Sequence, residues 1–350
     1  MEINCKTIDA ECAKDNSISY KWSNINYLPT NKQDTNLLKS RYGCAAAIDI
    51  NNLPICYLFI HGGQSFNKEF YNDIFVLRIN IENKTYDIAA NYNRNNCCKQ
   101  IWPKERNSHL YYQNNKILYI YGGGNSEGLL SDCYTLNIDN MSDIKNEITN
   151  NNNNNIWKEI KMDITTIDSI KSCNNTNYNN SQFNIEMGSM IVYNNSMNNI
   201  SEVRLAIIGG RLYDNISSNI FIYKNKLNDI SQMQLECIVS MPIKLCSFSY
   251  IFIKERYLII YGGIDGELFL NSIYVIDVLN NFKWYYFKHS NEYSIVGSIA
   301  SMMASDDDNI IIFGGSSLNK ENNQISIIQI NRILDFSNLI EIKCNNSTKN

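Results

Sequence analysis

Apolar residues in this chain gather into short runs that stop at paired glycines. The clearest case is Tyr257 to Val278, YLIIYGGIDGELFLNSIYVIDV. An apolar run ends on Gly262-Gly263, a polar loop follows, and a second run begins at Ser272. A stretch such as Leu258-Ile259-Ile260-Tyr261, apolar at successive positions, predicts a strand buried on both faces. The next strand alternates, with Tyr274, Ile276 and Val278 on one side and Val275 and Asp277 on the other.

Four other stretches repeat this grammar. Tyr57–Gly63 precedes Asp73–Ile79, Ile117–Gly123 precedes Asp132–Ile138, Arg204–Gly210 precedes Asn219–Tyr223, and Asn309–Gly315 precedes Gln324–Ile328. The steps from the first glycine to the next strand are 62 to 73, 122 to 132, 209 to 219, 262 to 272 and 314 to 324. Four are ten and one is eleven, a constancy that chance does not supply. The glycine pairs stand 60, 87, 53 and 52 apart, and the longest gap holds an asparagine-rich insert. A period of about 50 residues with short strands marks a propeller. Its paired glycines (Gly62, Gly63, Gly122, Gly123, Gly209, Gly210, Gly262, Gly263, Gly314, Gly315) serve close packing and positive φ where the chain leaves a buried strand. Trp157 and Trp284, on outermost strands, cover the gaps between blades.

Residues 1–19 show no clear element, and 20–345 form the propeller domain. Within it, 140–185 is low-complexity and asparagine-rich, too poor in apolar residues to fold alone, and is interrupted by the Trp157 strand. Two segments compete to close the last blade: the strand around Trp22, and Leu339–Ile342, which offers the fifth unit its own outer strand.

The pattern L-x-I-x-G-G, a polar residue ten positions on, Ile-Tyr or Ile-Phe, then Trp, resembles the kelch repeat. Pro103-x-x-Arg106-x-x-His109 is similar to the family's lead-in to the first strand, and Arg41-Tyr42-Gly43-Cys44 matches the same segment with Cys44 in place of His. Units three to five lack this lead-in, and Ser326 stands where an aromatic is expected. The resemblance implies an all-β, kelch-type β-propeller of four-stranded blades. Five blades are expected from five Gly-Gly units, with six as the alternative.

Charge and composition narrow the function classes. A net charge of −4 over 350 residues supplies no basic stripe, so nucleic acid is not an expected partner. No apolar run approaches the roughly 20 residues that cross a bilayer, so no membrane insertion is expected. The start of the chain lacks a secretory pattern, and the 11 scattered cysteines form no C-x-x-C pair. Reduced thiols and an intracellular, cytoplasmic setting follow. Cys97-Cys98 is the one unusual thiol feature, read as a chance pair in a loop against a redox or metal site.

Chemistry is sparse. His61 lies in a buried strand, His109 fills a repeat position, and His289 follows Trp284, with no local ligand spacing among them. No P-loop is present, because Gly122-Gly123-Gly124 leads to another strand. No cofactor is called for. What remains is the loops at the channel mouths. The candidate partner-binding residues are Arg41, Gln64, Phe66, Tyr71, Arg106, Glu127, Arg211, Tyr213, Asp265 and Glu267, weighed against solvated loop residues and structural arginines. The resemblance implies a non-enzymatic interaction module, a scaffold or adaptor for an unidentified protein partner, built as a monomeric propeller. Its alternative is a sugar or small-molecule enzyme at the channel mouth, of the oxidase or mutarotase type that some kelch-like propellers are.

Overall fold

Runs of Val, Ile, Leu and Tyr bounded by turn residues pair as antiparallel strands, and alternate residues of one strand enter different cores. In β15 (Tyr257–Tyr261) and β16 (Ile273–Asp277), Leu258, Ile260, Tyr274 and Ile276 join one apolar cluster while Ile259, Tyr261, Ile273 and Val275 join another. Both faces of these strands are therefore covered, as radially stacked sheets require. The alternation in β16 separates two cores, not core from solvent. Even Asp277 is buried, held by two hydrogen bonds from Arg256 at 2.9 and 2.8 Å.

The structure, a computed structural model, describes residues 23–27, 41–65, 67–93, 101–138, 156–160, 185–197, 200–212, 215–225, 233–268, 270, 272–287, 302–305, 309–313, 316–317, 320–321, 325–329, 334 and 339–343. The expected irregular segment 1–19 and most of 140–185 lie outside these. Among the described residues every regular element is a strand, and none forms a helix long and apolar enough to cross a membrane.

Unit one comprises β2 (Ala45–Asn52), β3 (Ile55–His61), β4 (Ile74–Asn80) and β5 (Thr85–Tyr92). Unit two holds β6 (Leu110–Asn114), β7 (Ile117–Tyr121), β8 (Cys133–Asn137) and β9 (Trp157–Ile160). Unit three holds β10 (Ser189–Met197), β11 (Ile200–Ile208), β12 (Asn219–Asn225) and β13 (Met233–Ser240). Unit four holds β14 (Ser249–Ile253), β15, β16 and β17 (Lys283–Phe287). The last unit has β18 (Met302–Ser305), β19 (Asn309–Phe313) and β20 (Ile325–Gln329). β1 (Ser23–Tyr27) and β21 (Ile340–Ile342) are the remaining strands longer than two residues among the described residues.

The arrangement is propeller-like, with four large sheets and not the five or six blades expected. One sheet has eight strands in the order β2-β3-β4-β5-β1-β20-β19-β18, because β1 pairs antiparallel with β20 and, at Asn26 and Tyr27, parallel with β5. Main-chain hydrogen bonding through β1 thus fuses the first and last repeat units. The other large sheets are β6-β7-β8-β9, β10-β11-β12-β13 and β14-β15-β16-β17-β21.

One further expectation changes. β21 does not close the last unit; it adds a fifth strand to the fourth, in the register Trp284↔Ile342, Tyr285↔Glu341 and Tyr286↔Ile340. The outer strand of unit one is β5, whose Tyr86 and Tyr92 are buried without a tryptophan. The Trp157 strand is present as expected, paired with β8. Trp157 is fully buried against Trp102 at 6.5 Å and His61 at 4.8 Å between ring centroids.

The glycine pairs explain the repeat register. Gly62, Gly122, Gly209 and Gly262 donate their N–H to the carbonyls of Asp73, Asp132, Asn219 and Ser272 at 3.0–3.1 Å. The loop is closed again where Tyr71, Leu130, Ser217 and Leu270 donate to the second glycine's carbonyl. The extra residue of unit one falls inside that inner closure. At Gly123 (φ +87) an added Cβ would sit 2.5 Å from the Asn107 carbonyl, so the position is restricted twice. Gly123→Ala is expected to cost more than about 2 kcal/mol from strain and clash together. The neighbouring Gly124→Ala meets only the end of Glu186, 3.0 Å away, and should cost less than about 1 kcal/mol. Urea unfolding of the two variants checks the contrast.

Candidate functional site

The loops released by the glycine pairs sit on a frame that recurs in four units. Each segment leading into an innermost strand pairs with the loop of its own unit. Tyr42 exchanges backbone hydrogen bonds with Gln64, Asn107 with Gly124, and Cys246 with Ile264, while Glu186 pairs with Arg211. The residue after each of these has positive φ: Gly43 +67, Ser108 +55, Met187 +62 and Ser247 +55. Their main chains are linked in series, Ser108 N–H to Gly43 O at 2.7 Å, Met187 to Ser108 at 2.8 Å and Ser247 to Met187 at 2.8 Å. Among the described residues, the void beside this backbone chain is only about 10 Å³.

These pairings align Arg41 and Arg106 with Ile185 and Leu245. Arg41 donates to the Gly62 carbonyl at 3.1 Å and to Asp73 at 2.6 and 3.2 Å. Arg106 donates to Gly122 at 3.1 Å and to Asp132 at 2.7 and 2.9 Å. Where Ile185 and Leu245 replace arginine, the position opening the third strand is Asn219 or Ser272 in place of aspartate. A buried cation and its carboxylate are present together or absent together, because either alone would lie unpaired in the frame. Burial lowers the Arg41 pKa, but the Asp73 carboxylate outweighs it and the net shift is upward.

The expected rim residues therefore separate. Arg41 and Arg106 are 1% and 0% exposed and hold the frame together; they are not available as rim contacts. The Arg41 guanidinium also lies 4.2 Å from the Tyr71 ring centroid, and Tyr71 is half-buried. Gln64 is buried, with its Oε1 accepting from Tyr42 Oη at 2.9 Å and Asn107 Nδ2 at 2.7 Å. Phe66 and Tyr213 lie outside the described residues, as do Gly314 and Gly315. Glu127 is exposed and paired with Lys104 at 2.8 Å. Arg211 is exposed and ion-paired with the buried carboxylate of Glu186, Nε to Oε1 at 2.8 Å. Asp265 is half-buried, and its Oδ1 accepts from the N–H groups of Glu267 at 2.9 Å and Leu268 at 2.8 Å. That turn holds out Glu267 and Leu268, the latter 63% exposed. Leu268 was not among the expected residues; its signal is an apolar residue just after an Asx-turn aspartate.

His61 and His109, distant in sequence, meet between the first two units, Nδ1 to Nε2 at 3.2 Å. Burial and then neighbouring charge hold both pKa values well below 6.5: His109 and the two frame arginines act on His61, and Arg106 acts on His109. Both are core groups. Burial likewise pushes the Cys44, Cys56 and Cys133 thiols up to about 12, and Cys246 to about 11. Among the described residues no cluster of His, Cys, Asp and Glu fits a metal ion. Cys97-Cys98 lies outside the described residues.

At the other end, the innermost strands surround a funnel of about 480 Å³ with walls including Ala46, Ile48, Met190 and Phe252. At its base Tyr111 and Tyr250 stack at 4.7 Å across the channel, and each hydroxyl bonds the other's main chain. The described lining carries no histidine, carboxylate or thiol.

No protein-family model matches this chain, and no curated protein matches it.

Arg106→Leu alone strands Asp132 and is expected to cost about 3 kcal/mol. Adding Asp132→Ser copies the Leu245/Ser272 pair and should recover more than half of that loss, read by urea unfolding of the single and double variants. Stability should also fall with acidity. The folded chain holds His61 and His109 neutral, so the unfolded chain binds protons more readily. Their contribution is complete above about pH 6.5 and shrinks as pH drops below it. Thermal unfolding between pH 7.5 and 5 should show a falling midpoint, shallower in a His61→Phe variant.

Proposed function

We propose that this chain is a kelch-type protein-binding module, a scaffold or adaptor that meets its partner with the loops on the glycine-framed face. The supporting observation is that these loops are held at both ends by main-chain hydrogen bonds while Glu127, Arg211, Glu267 and Leu268 project outward. A partner docking there orders little new backbone, so contact energy is not consumed in loop ordering. The void beside the Gly43–Ser108–Met187–Ser247 backbone chain is only about 10 Å³, which favours a macromolecular surface over a small ligand. The loop sequences differ in every unit on a common frame, as expected of a specific face carried by a repeat.

Affinity capture from native cells, quantified by mass spectrometry, tests this. A Leu268→Asp/Arg211→Glu double variant should lose at least one strongly enriched partner by tenfold or more with an unchanged melting temperature. Identical capture by wild type and variant would remove the loop face as the binding surface.

A further inference from the structure

The fourth sheet carries a strand that its repeat unit does not need. The sheets of units two and three are complete at four strands, and β14 to β17 already supply four to unit four. β21 lies outside that pattern, antiparallel on the outer edge of β17 through three residue pairs. Its footing is shallow. Ile340 and Glu341 are exposed, and only Ile342 is half-buried, against the core that holds Trp284. Leu339, just before the strand, packs partly buried against the other face of the sheet, on the cluster that includes Phe287. The one charged contact is Lys283 Nζ to Glu341 Oε2 at 2.8 Å, with both side chains more than a third exposed. The same Lys283 lies 5.7 Å from the Tyr285 ring, which faces Glu341 across the strand pair.

A sheet edge offers unpaired N–H and C=O groups that any extended segment can satisfy, while side-chain pockets choose the sequence. Here the chooser is legible. Trp284 and the adjoining core accept an aliphatic residue, Lys283 selects a carboxylate one position earlier, and the opposite face takes an aliphatic residue ahead of both. Exposed ion pairs contribute little on their own, so the resident strand is held mainly by generic backbone pairing and two partly buried aliphatic side chains. A competing segment of the same chemistry makes the same contacts and has only the resident strand's tether to overcome.

We propose that the outer edge of β17 is a strand-addition site, that β21 is its resident and displaceable occupant, and that the partner it fits is an extended peptide segment of the pattern Leu-aliphatic-acidic-aliphatic. This surface is separate from the glycine-framed loops and stands whether or not those loops bind. β21 then acts as an internal competitor that sets how readily the edge is open to a partner.

The test uses the full chain and a fluorescein-labelled peptide Asn-Leu-Ile-Glu-Ile-Lys, the sequence of residues 338–343, in fluorescence anisotropy. Glu341→Lys sets the resident strand against Lys283 without burying a new charge. It should bind the peptide about threefold more tightly than wild type. In Glu341→Lys/Lys283→Glu, resident attraction is restored and the edge carboxylate repels the peptide's own, so binding of this peptide should fall below the wild-type level. Lys283→Glu alone should prefer, by about threefold, a peptide carrying Lys at the Glu position. Equal binding of the native peptide by wild type and Glu341→Lys, or no change of preference in Lys283→Glu, would overturn the proposal. So would a wild-type dimer in light scattering that dissociates on Lys283→Glu, since it would assign the edge to a second copy of the chain. Melting curves accompany each variant, and the reversal of charge preference is a readout that simple destabilisation cannot produce.

Discussion

The structure depends on a left-handed pair of residues that only glycine fills comfortably. In units one to four both members have φ between +61 and +96, so the chain turns out of a buried strand within two residues. One N–H reaches the carbonyl that opens the next strand, and the second glycine's carbonyl closes the loop. At Gly63 and Gly210 the second N–H also crosses to the Arg106 and Leu245 carbonyls of the following unit. The turn thereby sets loop length within a unit and spacing between units. Buried backbone groups at such a junction need partners, and these hydrogen bonds supply them.

Charge enters this frame as a matched option. Two junctions use a buried arginine with the aspartate that opens the third strand; two use an aliphatic residue with an uncharged one. The two solutions coexist in one molecule because a charge pair with good geometry and an apolar substitute of similar volume are close in net stability, whereas half of either pair is costly. The aromatic and histidine packing around Trp157 belongs to the charged half, where His61 and His109 stay neutral between two arginines. The inter-unit contact there is sensitive to acid in a way that Ile208 and Phe248, in the equivalent places of units three and four, are not.

Much of the fold was legible in the chain. The strands before and after each Gly-Gly pair stand out because both faces are buried, leaving apolar residues at successive positions. The ten-residue step is visible because a hydrogen bond enforces it. The innermost strands, such as Leu-Tyr-Tyr-Gln-Asn in β6, and the outer Met-Gln-Leu-Glu-Cys-Ile-Val-Ser of β13 were hidden. They border the channel or the sheet edge, so their pattern is mixed. The number of sheets was hidden too, since fusion through β1 is a matter of backbone pairing that hydropathy does not record. Of the candidate site, Arg211, Glu127, Asp265 and Glu267 sit in the loops as read. Arg41 and Arg106, named as rim candidates with a structural role as the alternative, take the structural role, and their aspartate partners already stand at the repeat's polar position. The lead-in segments at Ile185 and Leu245 share a backbone path with Arg41 and Arg106 but no side chain, so no residue motif marks them.

If the glycine-framed junctions are the rigid base of the molecule, their amides must be protected although they lie in connecting segments. Native-state hydrogen exchange resolved to single residues measures this directly. The amides of Gly63, Ser108, Met187, Gly210 and Ser247 should exchange as slowly as those in the centres of β7 and β11, and far more slowly than the exposed loop amide of Glu105. Exchange of these five at the rate of Glu105 would contradict the account, because the loops would then have no fixed frame from which to present a binding face.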